Sequence, residues 1–261
     1  MAEPIRFDDS AAYEQSIGTW SRMTGDAFLA WLAPASGQRW LDVGCGTGAF
    51  AARIVHQCAP AEVQGLDLSV GQVTYAHQRL PAGPAQFLCG DVLALPYHDA
   101  VFDLAVMALV LFFLADPAKG LAEMQRVVRP GGVVASYAWD VLGGGFPADA
   151  VLVEMRAMGL TPPQPPHVSA AGLRESTACW AAAGLQDIAT HVLTIEHTFA
   201  NFAVFWATCL LTPGLGPTIK AMAPRQAATL QAGVRARLAA HVDRALTCPA
   251  RVNAIKGWVP G

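Results

Sequence analysis

Charged side chains are scarce in this sequence, where Asp, Glu, Lys and Arg together make up 14% of the 261 residues. An average soluble domain has about 25%. Hydrophobic residues make up 53%, and disorder is therefore excluded, because a disordered chain has few apolar residues and many charges. The surplus of apolar side chains predicts an apolar pocket or a subunit interface, and a homodimer is one arrangement that would provide such an interface.

Cysteine pairs and long apolar runs are also missing. The six cysteines form no CxxC pair and no Cys/His cluster, so the pattern supports neither a disulfide framework nor a zinc site, and we expect no bound metal. The first residues lack the apolar centre of a secretion signal. The longest apolar run, Leu104 to Ala115, is too short to span a bilayer. We expect a soluble, cytoplasmic protein without membrane contact.

No basic run with interleaved aromatic residues is present, which argues against nucleic-acid binding. The formal net charge is −3, with an acidic excess before residue 200 and a basic excess after it. Such an asymmetry can mark an acidic partner, but we favour a solvated basic helix face.

The most informative stretch follows an apolar run that ends in Asp42. Three glycines stand at alternate positions and an Ala-rich segment begins at Ala49, which predicts a strand, a tight loop and a helix. Glycine allows positive φ and the close approach of a ligand, and the helix start presents N–H groups and a positive dipole end. The predicted ligand loop consists of Gly44, Cys45, Gly46, Thr47 and Gly48.

The glycines alone leave two cofactors open. Gly44-x-Gly46-x-x-Ala49, with Asp67 where a ribose ligand is expected, also satisfies the loose dinucleotide fingerprint. A nicotinamide oxidoreductase is therefore one alternative. It is disfavoured because none of the four tyrosines has a lysine four residues later, the pair of short-chain dehydrogenases.

Several motifs together resemble the class I S-adenosylmethionine-dependent methyltransferases. Asp-Val-Gly-Cys-Gly-Thr-Gly at 42–48 matches their acid-x-Gly-x-Gly-x-Gly motif. Gly90-Asp91 with a later Leu-Pro, and Glu-x-x-Arg-Val with Arg-Pro-Gly-Gly at 123–132, are similar to later family motifs. The likeness weakens after Asp140. It is closest to the small-molecule type 11/25 subgroup, which shares the Tyr-Glu…Gly-x-Trp-Ser-Arg segment at 13–22.

This resemblance implies an α/β, Rossmann-like, doubly wound sheet of seven strands, with the last strand antiparallel and helical lid insertions. It implies S-adenosyl-L-methionine as the cofactor and a small-molecule acceptor as the partner. By position, Asp67 would take the ribose hydroxyls, and Asp91 with Val92 the adenine. The other cofactor residues that it implies are Trp20, Arg22, Asp42, Leu68, Gln72 and Met107, together with the glycine loop.

We expect residues 1–261 to form one methyltransferase domain. Residues 1–36 would be a segment that covers the cofactor, 37–140 the cofactor-binding core, and 141–168 with 200–245 the lid and substrate insertions. Among the elements, the spacing predicts a helix over Asp26–Leu32, a fifth strand over Val133–Trp139 and a long helix over Pro217–Val242.

A catalytic base cannot be assigned from the sequence. Tyr137, Trp139 and Asp140 follow the fifth strand, and His167 lies in a Pro-rich loop, so these are the side chains considered for the pocket. Methyl transfer from a sulfonium is a displacement that depends on positioning and on exclusion of water. The apolar insertions indicate an apolar or aromatic acceptor. A protein that binds S-adenosylmethionine without turning it over is the second alternative.

Overall fold

The computed structural model describes residues 5, 7, 9–239 and 244–261. Within them, one sheet has the strand order β3-β2-β1-β4-β5-β7-β6. The strands are β1 (Arg39–Val43), β2 (Glu62–Asp67), β3 (Ala85–Cys89), β4 (Phe102–Ala108), β5 (Val128–Trp139), β6 (Gln186–Phe199) and β7 (Leu246–Trp258). The helices are α1 (Ser10–Tyr13), α2 (Thr19–Leu32), α3 (Ala49–Cys58), α4 (Val70–Arg79), α5 (Pro117–Val127), α6 (Asp149–Ala157), α7 (Leu173–Ala182), α8 (Phe202–Leu211), α9 (Leu215–Lys220) and α10 (Pro224–Arg237).

The first five strands pair in parallel, and β7 is antiparallel to both β5 and β6. The predicted doubly wound sheet of seven strands with an antiparallel last strand is confirmed. The strand order reverses between β1 and β4, and in such sheets ligands bind in the crevice beyond the carboxyl ends of the strands. The fold thus places the glycine loop at this crevice.

Helices cover both faces of the sheet, which explains why most residues of β1 and β4 are apolar and buried. Side chains alternate along β1: Trp40 packs in the cluster with α2 and α3, whereas Leu41 and Val43 pack in the cluster with α5. Asp42 lies on the same face as Trp40 and has no exposed surface. An acidic side chain is therefore buried directly before the glycine loop.

The fifth strand begins earlier than predicted. β5 starts at Val128 and contains Pro130-Gly131-Gly132, which directly precede the strand predicted over Val133–Trp139. Phe102 pairs with Val128 and Leu104 with Val133, so the four residues 129–132 bulge out of the strand opposite Asp103. Gly131 has φ of 73°, and a Cβ on Gly132 would lie 2.7 Å from the Asp103 carbonyl oxygen. Glycine makes this bulge possible.

Two predicted helices also have different bounds. The helix expected over Asp26–Leu32 starts at Thr19, directly after the π-helical turn Glu14–Gly18. The long helix expected over Pro217–Val242 is split into α9 and α10, because Pro224 opens a new helix at its first turn. Residues 240–242 of that prediction lie outside the described residues. Across the described chain, no helix is both long and apolar enough to cross a bilayer.

Candidate active site

The glycine loop turns sharply between β1 and α3. Gly44, Gly46 and Gly48 have φ of 75°, 52° and 73°, a region that L side chains rarely adopt. A Cβ on Gly44 would lie 2.5 Å from Val110 Cγ2, whereas a Cβ on Gly46 would meet no described atom within 4 Å. Gly44 is therefore required by its close neighbour, and Gly46 borders open space where a ligand can approach the backbone.

Asp67 holds the loop from the end of β2. Its Oδ2 accepts the Gly46 N–H at 3.0 Å and its Oδ1 accepts the Ser69 N–H at 2.9 Å. A carboxylate has about four acceptor positions, so two such bonds fix its orientation and leave capacity for ligand hydroxyls. Leu68 and Val70, on either side of Ser69, are 73% and 67% exposed. The Asp67 carboxylate, a hydrogen-bond acceptor, thus lies next to the apolar surface of Leu68 and Val70.

Asp91 and Val92 follow β3, where the sequence placed the adenine. Asp91 is exposed, and its carboxylate accepts the Leu93 N–H at 2.8 Å. The Val92 side chain is buried in the cluster beside α5, so only its backbone can face a ligand. The placement is compatible with contacts from the Asp91 carboxylate and the Val92 main chain.

The N-terminal segment is fastened to the glycine loop by Glu14, which sequence reasoning did not select. Glu14 Oε1 accepts the Thr47 hydroxyl at 2.6 Å and pairs with Arg79 Nη2 at 2.8 Å. Arg22 Nη1 lies 3.5 Å from Oε2. Glu14 belongs to the same motif as Trp20 and Arg22, but no spacing in the sequence connects it to Thr47 or to Arg79.

The other predicted N-terminal residues lie farther from the loop. Trp20 is 1% exposed and packs against His197 and Phe199 of β6, with ring centroids 5.4 and 6.3 Å away. Arg22 is exposed and also donates to the Thr19 hydroxyl. Gln72 is buried, and its Nε2 donates to the Phe7 carbonyl at 2.8 Å. Gln72 and Arg22 therefore connect the covering segment, while Trp20 supports it from the core.

Three further predicted residues, in the loop or next to it in the sheet, are buried. Met107 lies in the core cluster beside α5, so its side chain does not face the crevice. Burial raises the pKa of the Cys45 thiol well above its usual value, in keeping with a small, inert side chain. Burial and, second, the Asp67 charge raise the pKa of Asp42 to about 7. The Ala51 backbone N–H opposes this shift, although neither carboxyl oxygen has a hydrogen-bond partner among the described residues.

A cavity, here called the apolar pocket, spans about 660 Å³ together with the solvent space at its mouth. Both predicted insertions and the N-terminal segment contribute to it. None of its described lining residues is charged or is a histidine. The lining consists of Ile5, Phe7, Tyr13, Ile17, Leu109, Phe112, Phe113, Trp139, Val141, Phe146, Leu152, Pro163, Pro165, Thr212, Pro213 and Leu215.

Of the four side chains considered for the pocket, only Trp139 lines it. Tyr137 is buried between Phe28 and Phe50, and Asp140 forms an ion pair with Arg251 at 2.8 Å. The His167 side chain is not among the lining; its backbone N–H donates to the Phe112 carbonyl at 3.1 Å. No group of three or more possible metal ligands occurs in the described residues.

The crevice fits a ligand that contains adenosine. Open space over Gly46, the oriented Asp67 carboxylate and the exposed Leu68 offer room, an acceptor for ribose hydroxyls and an apolar surface for a purine face. The Asp91 carboxylate can accept from an exocyclic amine. The donor and acceptor types therefore agree with the cofactor that the sequence implied.

Comparison with known proteins identifies the family. Residues 41–136 match the family model described as a methyltransferase domain. The chain is 37% identical over 150 residues to a ubiquinone/menaquinone biosynthesis C-methyltransferase from Dinoroseobacter shibae, covering 50% of this chain and 60% of that protein. It is 34% identical over 128 residues to a malonyl-[acyl-carrier protein] O-methyltransferase from Serratia marcescens, covering 49% of each. The chain spans about half the length of these relatives.

The fold agrees with that match. Phosphoethanolamine N-methyltransferase 2 from Haemonchus contortus, solved with S-adenosyl-L-methionine, superposes with a TM-score of 0.58 at 19% identity and covers 97% of this chain and 57% of that one. The methyltransferase domain and the fold predicted from the sequence are confirmed. By its matching segment, its motifs and its fold, the chain contains a methyltransferase domain, and it is similar to the class I S-adenosylmethionine-dependent methyltransferases.

Proposed function

We propose that this protein transfers the methyl group of S-adenosylmethionine to a small apolar or aromatic acceptor that binds in the apolar pocket. The observation that carries the proposal is an uncharged pocket, among its described lining, beside the glycine loop. Leu109 lines the pocket, and its neighbour Val110 packs against Gly44. Tyr13 lines it as well, and its neighbour Glu14 holds Thr47. Consecutive residues of the chain therefore border the pocket and the glycine loop.

In this proposal the glycine loop, Asp67, Leu68, Asp91 and the backbone of Val92 hold the cofactor. When bound, S-adenosylmethionine supplies a methyl group on a positively charged sulfur. The protein positions the reactants and excludes water. The loop and the pocket set the distance between the reacting atoms, and the apolar lining keeps water out. We assign Trp20, Asp42 and Met107 a supporting role, because their side chains are buried away from the crevice.

The pocket favours a small molecule over a macromolecular acceptor. Its described lining combines residues of the core with residues of the N-terminal segment and of both insertions. We infer that described residues of the segments 1–36, 141–168 and 200–245 act as its walls, while residues 1–4, 6, 8 and 240–243 of these predicted segments lie outside the described residues. Low charge density and apolar walls argue against nucleic acid as the acceptor.

The test combines methyl transfer with a variant that fills the pocket. Wild-type protein with S-adenosylmethionine labelled in the methyl group should convert members of a library of small hydroxylated aromatic compounds into labelled, extractable products. Leu152→Trp should abolish this transfer while cofactor binding persists, because Leu152 lines the pocket but is not part of the crevice.

The matched control is Val204→Trp, which places the same ring on a residue that is 45% exposed on α8 and should leave transfer unchanged. Transfer that survives in Leu152→Trp would contradict the placement of the acceptor. Cofactor binding without transfer to any member of a broad library would favour the non-catalytic alternative.

A further inference from the structure

If the proposed function holds, the polar groups that line the apolar pocket indicate which class of methyl acceptor it binds. Among its described lining, the only side chains with a polar hydrogen on oxygen are Tyr13 and Thr212. The Thr212 hydroxyl proton is donated to the Thr208 carbonyl at 3.1 Å. Among the described lining, Tyr13 is therefore the one residue whose hydroxyl proton is not already donated to a carbonyl.

Tyr13 is placed to present that hydroxyl. Its Oη lies 3.1 Å from Ser21 Oγ, and either atom can be the donor. When Ser21 donates, the Tyr13 hydroxyl proton remains available to a ligand in the pocket. The Tyr13 ring is held by Phe7, whose centroid lies 6.0 Å away in an edge-on arrangement. The hydroxyl is thus fixed by a ring contact on one side and a hydrogen bond on the other.

Tyr13 stays protonated in this setting. Burial chiefly raises its pKa above the ordinary value, and the Glu14 and Asp67 charges add to this. The Ser21 hydrogen bond and the Arg79 charge oppose the shift without cancelling it. A phenol with a raised pKa is a hydrogen-bond donor, not a base. The described lining therefore contains a donor and no group that removes a proton at neutral pH.

We infer that the acceptor enters the pocket already ionised, as an apolar molecule with a phenolate, enolate, thiolate or carboxylate, and that the Tyr13 hydroxyl donates to its anionic atom. The new bond joins that atom to the methyl carbon, while the bond from this carbon to the sulfonium sulfur breaks and leaves its electron pair on sulfur. No proton moves. The anion and the sulfonium neutralise each other, and an apolar wall strengthens their attraction.

The experiment measures binding of four compounds that share one ring system. 2-Naphthoate, 2-naphthalenethiolate and 2-naphtholate are anions at suitable pH, whereas 2-naphthylmethanol has a similar shape and does not ionise. Each is titrated, by tryptophan fluorescence, into protein saturated with S-adenosylmethionine or with S-adenosylhomocysteine, which lacks the positive charge. We expect the anions to bind more tightly to the S-adenosylmethionine complex, and the alcohol to bind both complexes alike.

Tyr13→Phe should weaken binding of the anions about ten- to hundredfold, the loss expected for a hydrogen bond to a charged group, without changing binding of 2-naphthylmethanol. The matched control is Tyr97→Phe, since Tyr97 packs against Phe102 on the other face of the sheet; this variant should bind all four compounds as wild type does. Melting curves verify that both variants fold.

Equal affinity of an anion for the two complexes, equal effects of Tyr13→Phe on anions and alcohol, or no binding of any compound would overturn the inference. A protein that binds no S-adenosylmethionine would refute the proposed function instead. The two failures are therefore distinguishable.

Discussion

Asp42 should make the stability of the cofactor-free protein fall as the pH rises. Its side chain has no exposed surface, and neither carboxyl oxygen has a hydrogen-bond partner within the described structure. Its pKa is about 7, against an ordinary value of 3.8. Between these values the unfolded chain has lost the proton while the folded chain retains it. Folding then takes up a proton, so the free energy of unfolding decreases with increasing pH.

The size of the effect follows from the shift. Each unit corresponds to about 1.4 kcal/mol, and a shift from 3.8 to about 7 therefore gives roughly 4 kcal/mol once both states are ionised. Below about pH 4 no loss is expected, because both states are protonated. Asp42→Asn cannot ionise and should remove the pH dependence that this group contributes.

Urea unfolding of both proteins without cofactor, at pH 5 and at pH 8, measures this directly. Replacement by Asn adds a constant cost from a buried amide, so the informative quantity is the change with pH. The stability of Asp42→Asn relative to wild type should rise by about 3 kcal/mol from pH 5 to pH 8. A difference that does not change with pH would refute the reasoning, because it would mean that Asp42 is ionised throughout or is solvated.

Three further predictions concern the loop and its cover. Gly44→Ala should lower the free energy of unfolding by about 1–2 kcal/mol because of the left-handed backbone, and by a further 1–3 kcal/mol or so because of the contact with Val110. The control Gly37→Ala has a similar φ in open surroundings, so in urea unfolding it should lose only the first amount. Glu14→Gln weakens the charged hydrogen bonds to Thr47 and Arg79 and should lower the free energy of unfolding by about 1–2 kcal/mol. The control Glu175→Gln lies in an exposed pair with Arg174 and should not change that free energy measurably. Equal effects of the two variants would contradict the role of Glu14. A thiol reagent followed by mass spectrometry should label the exposed Cys89 first and leave Cys45 unmodified until unfolding, since Cys45 is buried and its pKa is raised; early labelling of Cys45 would show an open loop.

The glycine loop could be predicted because its signal is local, whereas the arrangement of the seven strands was predicted from the family resemblance. Alternate glycines after an apolar run require one kind of turn, and the structure places all three at positive φ. Asp67 follows at the end of the next strand, where the topology brings it within 3.0 Å of the Gly46 N–H. Contacts between neighbouring strands of a doubly wound sheet are predictable in this way from the motif order.

Contacts between distant segments were not predictable. Glu14 meets Thr47 and Arg79 only because the N-terminal turn folds over the loop, and no periodicity encodes that arrangement. Asp140 follows β5 as a pocket residue would, yet Arg251 of β7 neutralises it, and the sequence does not show that these strands are neighbours at that point. Pro130-Gly131-Gly132 has the composition of a turn, but pairing on both sides makes it a bulge.

Binding calorimetry with the wild-type protein and Asp67→Asn tests the central claim, that S-adenosylmethionine occupies the crevice over the glycine loop. Each protein is titrated with S-adenosylmethionine, S-adenosylhomocysteine and NAD, and Asp187→Asn, at the start of β6, is the matched control. We predict that wild type and Asp187→Asn bind the first two ligands and not NAD, and that Asp67→Asn binds them about ten- to hundredfold more weakly, as expected for lost bonds between ribose hydroxyls and a carboxylate. Binding of NAD alone, or unchanged binding of S-adenosylmethionine by Asp67→Asn, would contradict the account.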